Sequence, residues 1–250
     1  PTSPAGEEGV RGRVGPRGRT CENRGVANPW EKAAHAERFR DGAVPNNPSR
    51  PAQVDVVVAL ARAHAPGSVL DLGCGPGFLA ERLAAALPEA RLVACDLQPR
   101  MVELARERLG PRAVVVQRRV EDRWHDLGGP FDLVLAVQVL HHLDAAGKRL
   151  AYRTILDVLA PGGLLVQSDP VAPRLFRHHV ALWNRLRGEA GFDPLPPDYD
   201  EAAFRAELEE RGDLLDTLRD QATWLREAGF DPVEVFWRDG NRAVWGGLRP

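Results

Sequence analysis

The sequence predicts an α/β fold, a doubly wound and mostly parallel sheet carrying a helical insertion. Three observations predict it. Short apolar runs alternate with helical stretches from Ser68 to Asp169, a Gly-rich turn joins the first run to the first helix, and two further runs close the chain. At 250 residues, with 44% hydrophobic and 27% charged residues, the chain supports one sizeable domain with additions and is neither disordered nor fibrous. A formal net charge of −2 removes the simplest case for a nucleic-acid partner, since a phosphate-neutralising domain is usually strongly basic.

Residues 1–25 are dense in Pro, Gly and Arg and bury too little to offset ordering entropy, so a mobile tail is expected. Trp30 to Arg40 reads as a short helix, the PNNPSRP cluster at 45–51 interrupts the chain, and Gln53 to His64 reads as a helix leading into the core. Five strands follow: SVLDL (68–72), RLVACD (91–96), AVVVQ (113–117), FDLVLAV (131–137) and GLLVQSD (163–169). Their near-continuous apolar character suits strands covered on both faces. Helices are predicted at Phe78–Leu87, Pro99–Leu109 and Ala145–Leu159, with Pro99 suited to a first turn and Pro161-Gly162-Gly163 to a sharp stop. The alternation predicts right-handed βαβ units.

After Asp169 the alternation fails. Residues 171–213 hold two amphipathic helical stretches joined by GFDPLPPDYD, an insertion expected to act as a lid. A helix over Asp213–Ala228 and two strands, VEVFWR (233–238) and AVWGGLR (243–249), return to the sheet. Only Asp239 to Arg242 separate them, which predicts an antiparallel hairpin.

The segment Val69-Leu70-Asp71-Leu72-Gly73-Cys74-Gly75-Pro76-Gly77-Phe78 lies between a predicted strand and a predicted helix, the context of a nucleotide-binding turn. Glycine allows the backbone to approach a ligand closely, and the helix start directs free N–H groups at it. Asp96 ends the second strand 25 residues after Asp71, where a carboxylate accepts from ribose hydroxyls. Counted from Gly73 and Gly75, a dinucleotide fingerprint needs glycine where Phe78 stands; counted from Gly75 and Gly77, Ala80 meets its looser form. A dinucleotide and an adenosyl ligand both stay open on these residues alone.

The acidic residue two before the first of Gly73, Gly75 and Gly77 resembles the first motif of class I S-adenosylmethionine-dependent methyltransferases, in particular the bacterial small-molecule methyltransferase domain proteins. That resemblance covers about residues 50–170 and 213–249. It implies a seven-stranded sheet of order 3-2-1-4-5-7-6, a Rossmann-like domain over 67–250, an N-terminal helical segment over 26–66 covering the cofactor site, and S-adenosyl-L-methionine as cofactor. It implies that Asp71, Gly73, Gly75 and Gly77 line the methionine and ribose, that Asp96 holds the ribose, that Leu97 and Met101 sandwich the adenine, and that Val120 and Glu121 read its edge. Val137 and Gln138 fall near the methionine moiety. Arg119 departs from the family, which commonly has Asp there.

A methyl on a sulfonium is already a strong electrophile, so the protein mainly aligns the nucleophile and excludes water. A hydroxyl or weakly acidic carbon also needs a general base. His141 and His142, at the exit of the fourth strand, are the candidates, although His142 also resembles a family residue that caps or packs beside the following helix. Ubiquinone-biosynthesis O-methyltransferases carry Glu-x-x-Glu-His at this place; here Gln138, His141 and His142 lack the two carboxylates suited to a hard cation, so no metal is assigned. His178 and His179 are expected to be solvated, on a segment whose Phe176, Trp183, Phe192 and Tyr199 could cover an acceptor.

The expected reaction is methyl transfer to O, N or C of a small organic metabolite, with no nucleic-acid or membrane partner and an undefined oligomeric state. The chain has no Asn-Pro-Pro-aromatic tetrad and no long apolar run. Its three cysteines show no paired spacing, so a cytoplasmic setting is expected. Two other readings remain: an S-adenosylmethionine-binding enzyme that does not methylate, such as a cyclase or lyase, and an NAD-dependent oxidoreductase.

Overall fold

The computed structural model describes residues 47–122 and 124–250. The tail expected at 1–25 and the helix expected at Trp30–Arg40 lie outside the described residues, as does the part of the 26–66 segment before Asn47. In chain order the described elements are α1 (Arg50–His64), β1 (Ser68–Leu72), α2 (Phe78–Ala86), β2 (Arg91–Asp96), α3 (Pro99–Leu109), β3 (Ala113–Gln117), β4 (Phe131–Val137), α4 (Ala145–Val158) and β5 (Leu159–Pro170). They continue with α5 (Phe176–Glu189), α6 (Glu201–Arg211), α7 (Leu218–Ala228), β6 (Val233–Asp239) and β7 (Arg242–Leu248).

The seven strands form one sheet of order β3-β2-β1-β4-β5-β7-β6. Strands β1 to β5 pair in parallel, β7 runs antiparallel between β5 and β6, and the doubly wound α/β sheet expected from the sequence is observed. The period of two along each strand separates two cores. Leu70, Leu72, Val93, Cys95, Val134 and Ala136 pack with α4 and α7, whereas Val69, Leu92, Ala94, Leu133 and Leu135 pack with α1, α2 and α3. The carboxyl ends of β1, β2, β4 and β5 therefore open together at one edge, where ligands bind in open α/β sheets.

Four sequence expectations shift. Residues 213–217 are not helical: Thr217 caps α7 by accepting from the Asp220 N–H at 3.1 Å, and the segment before it is held out of helix by two ties. Leu214 N donates to His141 O at 2.7 Å, and the buried Lys148 pairs with Asp216 at 2.6 Å. Strand β5 begins at Leu159 rather than 163 because Leu159 pairs with Phe131 across a register shift. The β6–β7 connection is only Gly240-Asn241, with Gly240 at φ 57°. His179, expected to be solvated, is buried in α5, while His178 is exposed. Among the described residues no helix is long and apolar enough to cross a membrane.

Candidate active site

The turn after β1 places Gly73, Gly75 and Gly77 at φ 67°, 56° and 86°, left-handed conformations that side chains with a Cβ adopt at a cost. A Cβ on Gly73 would lie 2.5 Å from Val139 Cγ2, whereas one on Gly75 would meet nothing within 4 Å. Gly73 is thus required by packing, and Gly75 faces open space. Gly75 N donates to Asp96 Oδ2 and Gln98 N to Asp96 Oδ1, each at 2.9 Å. The turn and the start of α3 therefore fix the Asp96 carboxylate at the end of β2. Burial pushes its pKa up, and the N–H bonds from Gln98 and Gly75 oppose that.

Asp71 is 1% exposed and its Oδ2 has no hydrogen-bond partner. Burial pushes its pKa up to about 7, with Arg50 pulling it back. Arg50, the first residue of α1, has an equally enclosed Nη1 with no partner, and the charges of Asp71 and Asp169 partly offset its burial. A carboxylate and a guanidinium, both short of partners at the mouth of the glycine turn, fit a zwitterionic amino-acid group. Asp71 suits its ammonium and Arg50 its carboxylate. Arg50 escaped the sequence reading, although a cation at a helix N-terminus opposes the helix dipole and is a legible anomaly.

The adenine-side residues share this sheet edge. Leu97 is half-buried and Met101 buried at the exit of β2 and the first turn of α3, and Val120 packs on the core after β3. Glu121 pairs with the side chain of Arg119 at 3.4 Å, and the Asp122 carboxylate accepts from Arg119 N at 2.9 Å.

At the exit of β4, Val137 is buried and Gln138 adopts φ 59°, a strained conformation for a residue with a side chain. Its N–H and its Nε2 both donate to Ser168 O, at 2.8 and 3.2 Å. The following turn delivers His141, whose Nδ1 lies 2.6 Å from Asp169 Oδ1 and whose Nε2 lies 3.4 Å from Asp213 Oδ1. His142 Nδ1 is also 3.4 Å from Asp213 Oδ1. The cap of α4 is supplied by Asp144, whose Oδ1 accepts from Gly147 N at 2.7 Å. His142 therefore does not cap that helix.

Burial pushes both histidines down to about 4 and Asp169 up to about 7. Asp169 and His141 are one coupled site, which holds a single proton between them above neutral pH and gains a second as the pH falls. Gln167 Nε2 holds the other Asp169 oxygen at 2.8 Å. His141, His142 and Asp213 can each point a ligand atom at one place, all within 4.8 Å of one another. Two imidazoles and one carboxylate suit a transition metal better than Mg²⁺. Sequence spacing could not bring Asp213 into that group.

Beside this group lies a cavity of about 260 Å³ between the insertion and the sheet edge, lined among others by His179, Trp183, Tyr199, Phe204, Asp213 and Arg242. Phe176 stacks behind Tyr199 with ring centres 6.2 Å apart, whereas Phe192 is exposed beneath Arg187. Asp213 joins the cavity to His141, which does not line it.

Residues 69–163 match the family model described as Methyltransferase domain. The chain is 34% identical over 122 residues to a malonyl-acyl carrier protein O-methyltransferase of Legionella pneumophila, covering 48% of this chain and 42% of that protein. It is 36% identical over 143 residues to a ubiquinone biosynthesis O-methyltransferase of Xanthomonas campestris, covering 54% and 57%. A ribosomal RNA small subunit methyltransferase C of Citrobacter koseri is 30% identical over 115 residues, covering 44% and 33%. The chain thus spans about half or less of the length of these relatives. Among solved structures, an O-methyltransferase family protein from Burkholderia thailandensis superposes with a TM-score of 0.65 at 22% identity, covering 88% of this chain and 61% of that one; the likeness is one of fold.

Proposed function

We propose that the chain, whose residues 69–163 match a methyltransferase domain and whose sheet has the strand order expected from the sequence, is a class I S-adenosylmethionine-dependent methyltransferase that transfers a methyl group from S-adenosyl-L-methionine to O, N or C of a small organic metabolite. One observation carries the reading. The partner-poor Asp71 and Arg50, the open face of Gly75 and the fixed Asp96 sit at the same sheet edge as the His141–Asp169 pair and its adjoining cavity.

When bound, S-adenosylmethionine supplies a methyl on a positively charged sulfur, already electrophilic enough to need no activation by acid. Asp71 takes the ammonium and Arg50 the carboxylate of its methionine part, Asp96 accepts from the ribose hydroxyls, Leu97 and Met101 cover the adenine faces, and Val120 and Glu121 read its edge. Val137 and Gln138 border the methionine part. The acceptor lies in the cavity under α5 and α6, which act as a lid and exclude water. Its proton is collected by the chain Asp213–His141–Asp169, whose cavity-facing end is the Asp213 carboxylate; Asp169 fixes the imidazole tautomer, and the His142 ring lies tilted beside it.

A cavity of about 260 Å³ lies just below the roughly 300–1,000 Å³ of common ligand pockets, which favours a small metabolite over the nucleic-acid substrate named for one relative. The free thiols of Cys74 and Cys95 suit a cytoplasmic setting. Calorimetry with S-adenosylmethionine and S-adenosylhomocysteine, followed by transfer of labelled methyl to candidate acceptors, tests the proposal. Micromolar binding of both is expected; no binding of either at millimolar concentration overturns it.

A further inference from the structure

The cavity under α5 and α6 carries a charge that the protein leaves unanswered. Arg187 Nε donates to Asp193 O at 2.6 Å, and Arg211 pairs with Glu207 at 3.0 Å. Asp213 is engaged by the two histidines. Arg242, at the start of β7, forms no hydrogen bond and no ion pair among the described residues, and its Nε is shut off from solvent without a partner. Asp213 and Asp169 act on it only at longer range. Burial pushes its pKa down only to about 10, so it remains a cation at neutral pH.

Two further residues that line the same cavity each hold an enclosed polar atom without a partner, His179 Nδ1 and Asn241 Oδ1. Buried polar atoms are nearly always paired in folded proteins, so three without a partner in the wall of one cavity mark that wall as short of polar partners. The guanidinium calls for an anion, preferably a planar carboxylate that it can grip with two N–H groups. The amide oxygen calls for a donor. Rings make up part of the remaining wall, Trp183 with the Arg242 guanidinium 5.6 Å from its centre, then Tyr199 and Phe204, beside Pro170, Leu195, Leu208 and Leu215 and the Arg211-paired Glu207.

We propose that Arg242 is an anion anchor and that the acceptor is a small planar hydroxy acid, its carboxylate on Arg242 and its ring between the aromatic walls of the insertion. The inference rests on the methyltransferase reading for the word acceptor, but the anchor itself does not. The carboxylate held by Arg242 has its charge neutralised and its lone pairs engaged. Another atom of the acid, on the side toward Asp213, is then the one that loses a proton.

Calorimetry on the whole chain, with and without S-adenosylhomocysteine, tests the anchor with 3-hydroxybenzoate and its neutral isostere 3-hydroxybenzamide as probes. The acid is expected to bind about tenfold or more tighter than the amide, as a charge-assisted pair implies. Arg242→Gln is expected to bring the two within about twofold while leaving S-adenosylhomocysteine binding intact, and Arg242→Lys to restore part of the preference. Equal binding of acid and amide to the unmodified chain, or a preference that survives Arg242→Gln, overturns the proposal. If Arg242→Gln does not fold, the acid-to-amide ratio of the unmodified chain and of Arg242→Lys still decides. Failure of S-adenosylhomocysteine to bind instead overturns the methyltransferase reading, and the acid-to-amide ratio without it then judges the anchor separately.

Discussion

His141 and Asp169 are joined across the exits of β4 and β5, Nδ1 to Oδ1 at 2.6 Å, so the imidazole of one strand end is oriented by the carboxylate of its neighbour. Above pH 7 the pair holds one proton on Nδ1 and keeps Nε2 free as a base. As the pH falls through about 7, the value to which burial raises Asp169, a second proton enters the pair and the free base is lost. Turnover is therefore expected to be flat above pH 7 and to fall below it. Asp169→Asn is expected to remove that acid limb and lower kcat by about 10²-fold or more, the usual scale of general-base catalysis, with S-adenosylhomocysteine binding changed less than about twofold. A mutant whose pH–rate profile keeps the limb near 7 would show that the pair is not the titrating group.

The Asp71 carboxyl, pushed up to about 7 by burial, links cofactor affinity to pH. Only its ionised form attracts an ammonium group, so affinity for S-adenosylmethionine is expected to rise by up to about tenfold per pH unit below 7 and to level above it. In the free chain the sign for stability is opposite. The folded state holds the proton more tightly than the unfolded state between the ordinary carboxylate value of 3.8 and about 7, so this group's contribution declines across that window as pH rises. Asp71→Asn should abolish both dependences and weaken binding by about tenfold or more, from the loss of one charged hydrogen bond. Calorimetry at a series of pH values and denaturant unfolding measure the two separately.

Much of the fold was legible because each signal was local. The strands at 68–72, 91–96, 113–117 and 131–137 appear at the bounds read from their apolar runs, and the Asp71–Asp96 spacing located the ends of β1 and β2. What was missed depends on partners far along the chain. Residues 213–217 have helical composition, yet Lys148, bound to Asp216 68 residues away, and His141, bound to Leu214 73 residues away, hold them out of helix, a tertiary override of local propensity. Asp169 read only as the end of a strand, and nothing in spacing could join it, Asp213 and Arg242 to His141. His179 looked like a surface residue because its neighbours in sequence, Arg177 and His178, are polar; only the fold of α6 against α5 encloses it.

The two glycines that look equivalent in the motif are expected to fail differently. Gly73→Ala drives a Cβ to within 2.5 Å of Val139 Cγ2, inside the wall formed by the residue after Gln138, and adds the strain of a left-handed Ala. It should cost about 2–5 kcal/mol of stability, the sum of about 1–3 for overpacking and 1–2 for the backbone, and distort the β4 exit with it. Gly75→Ala meets no atom within 4 Å, so it should cost only the backbone strain of about 1–2 kcal/mol. Its methyl projects into the space that the cofactor reading fills, where binding should fall by more than tenfold. Parallel unfolding and S-adenosylhomocysteine titrations of the two variants separate the roles. A Gly75→Ala variant that binds normally would place the cofactor elsewhere than against this turn.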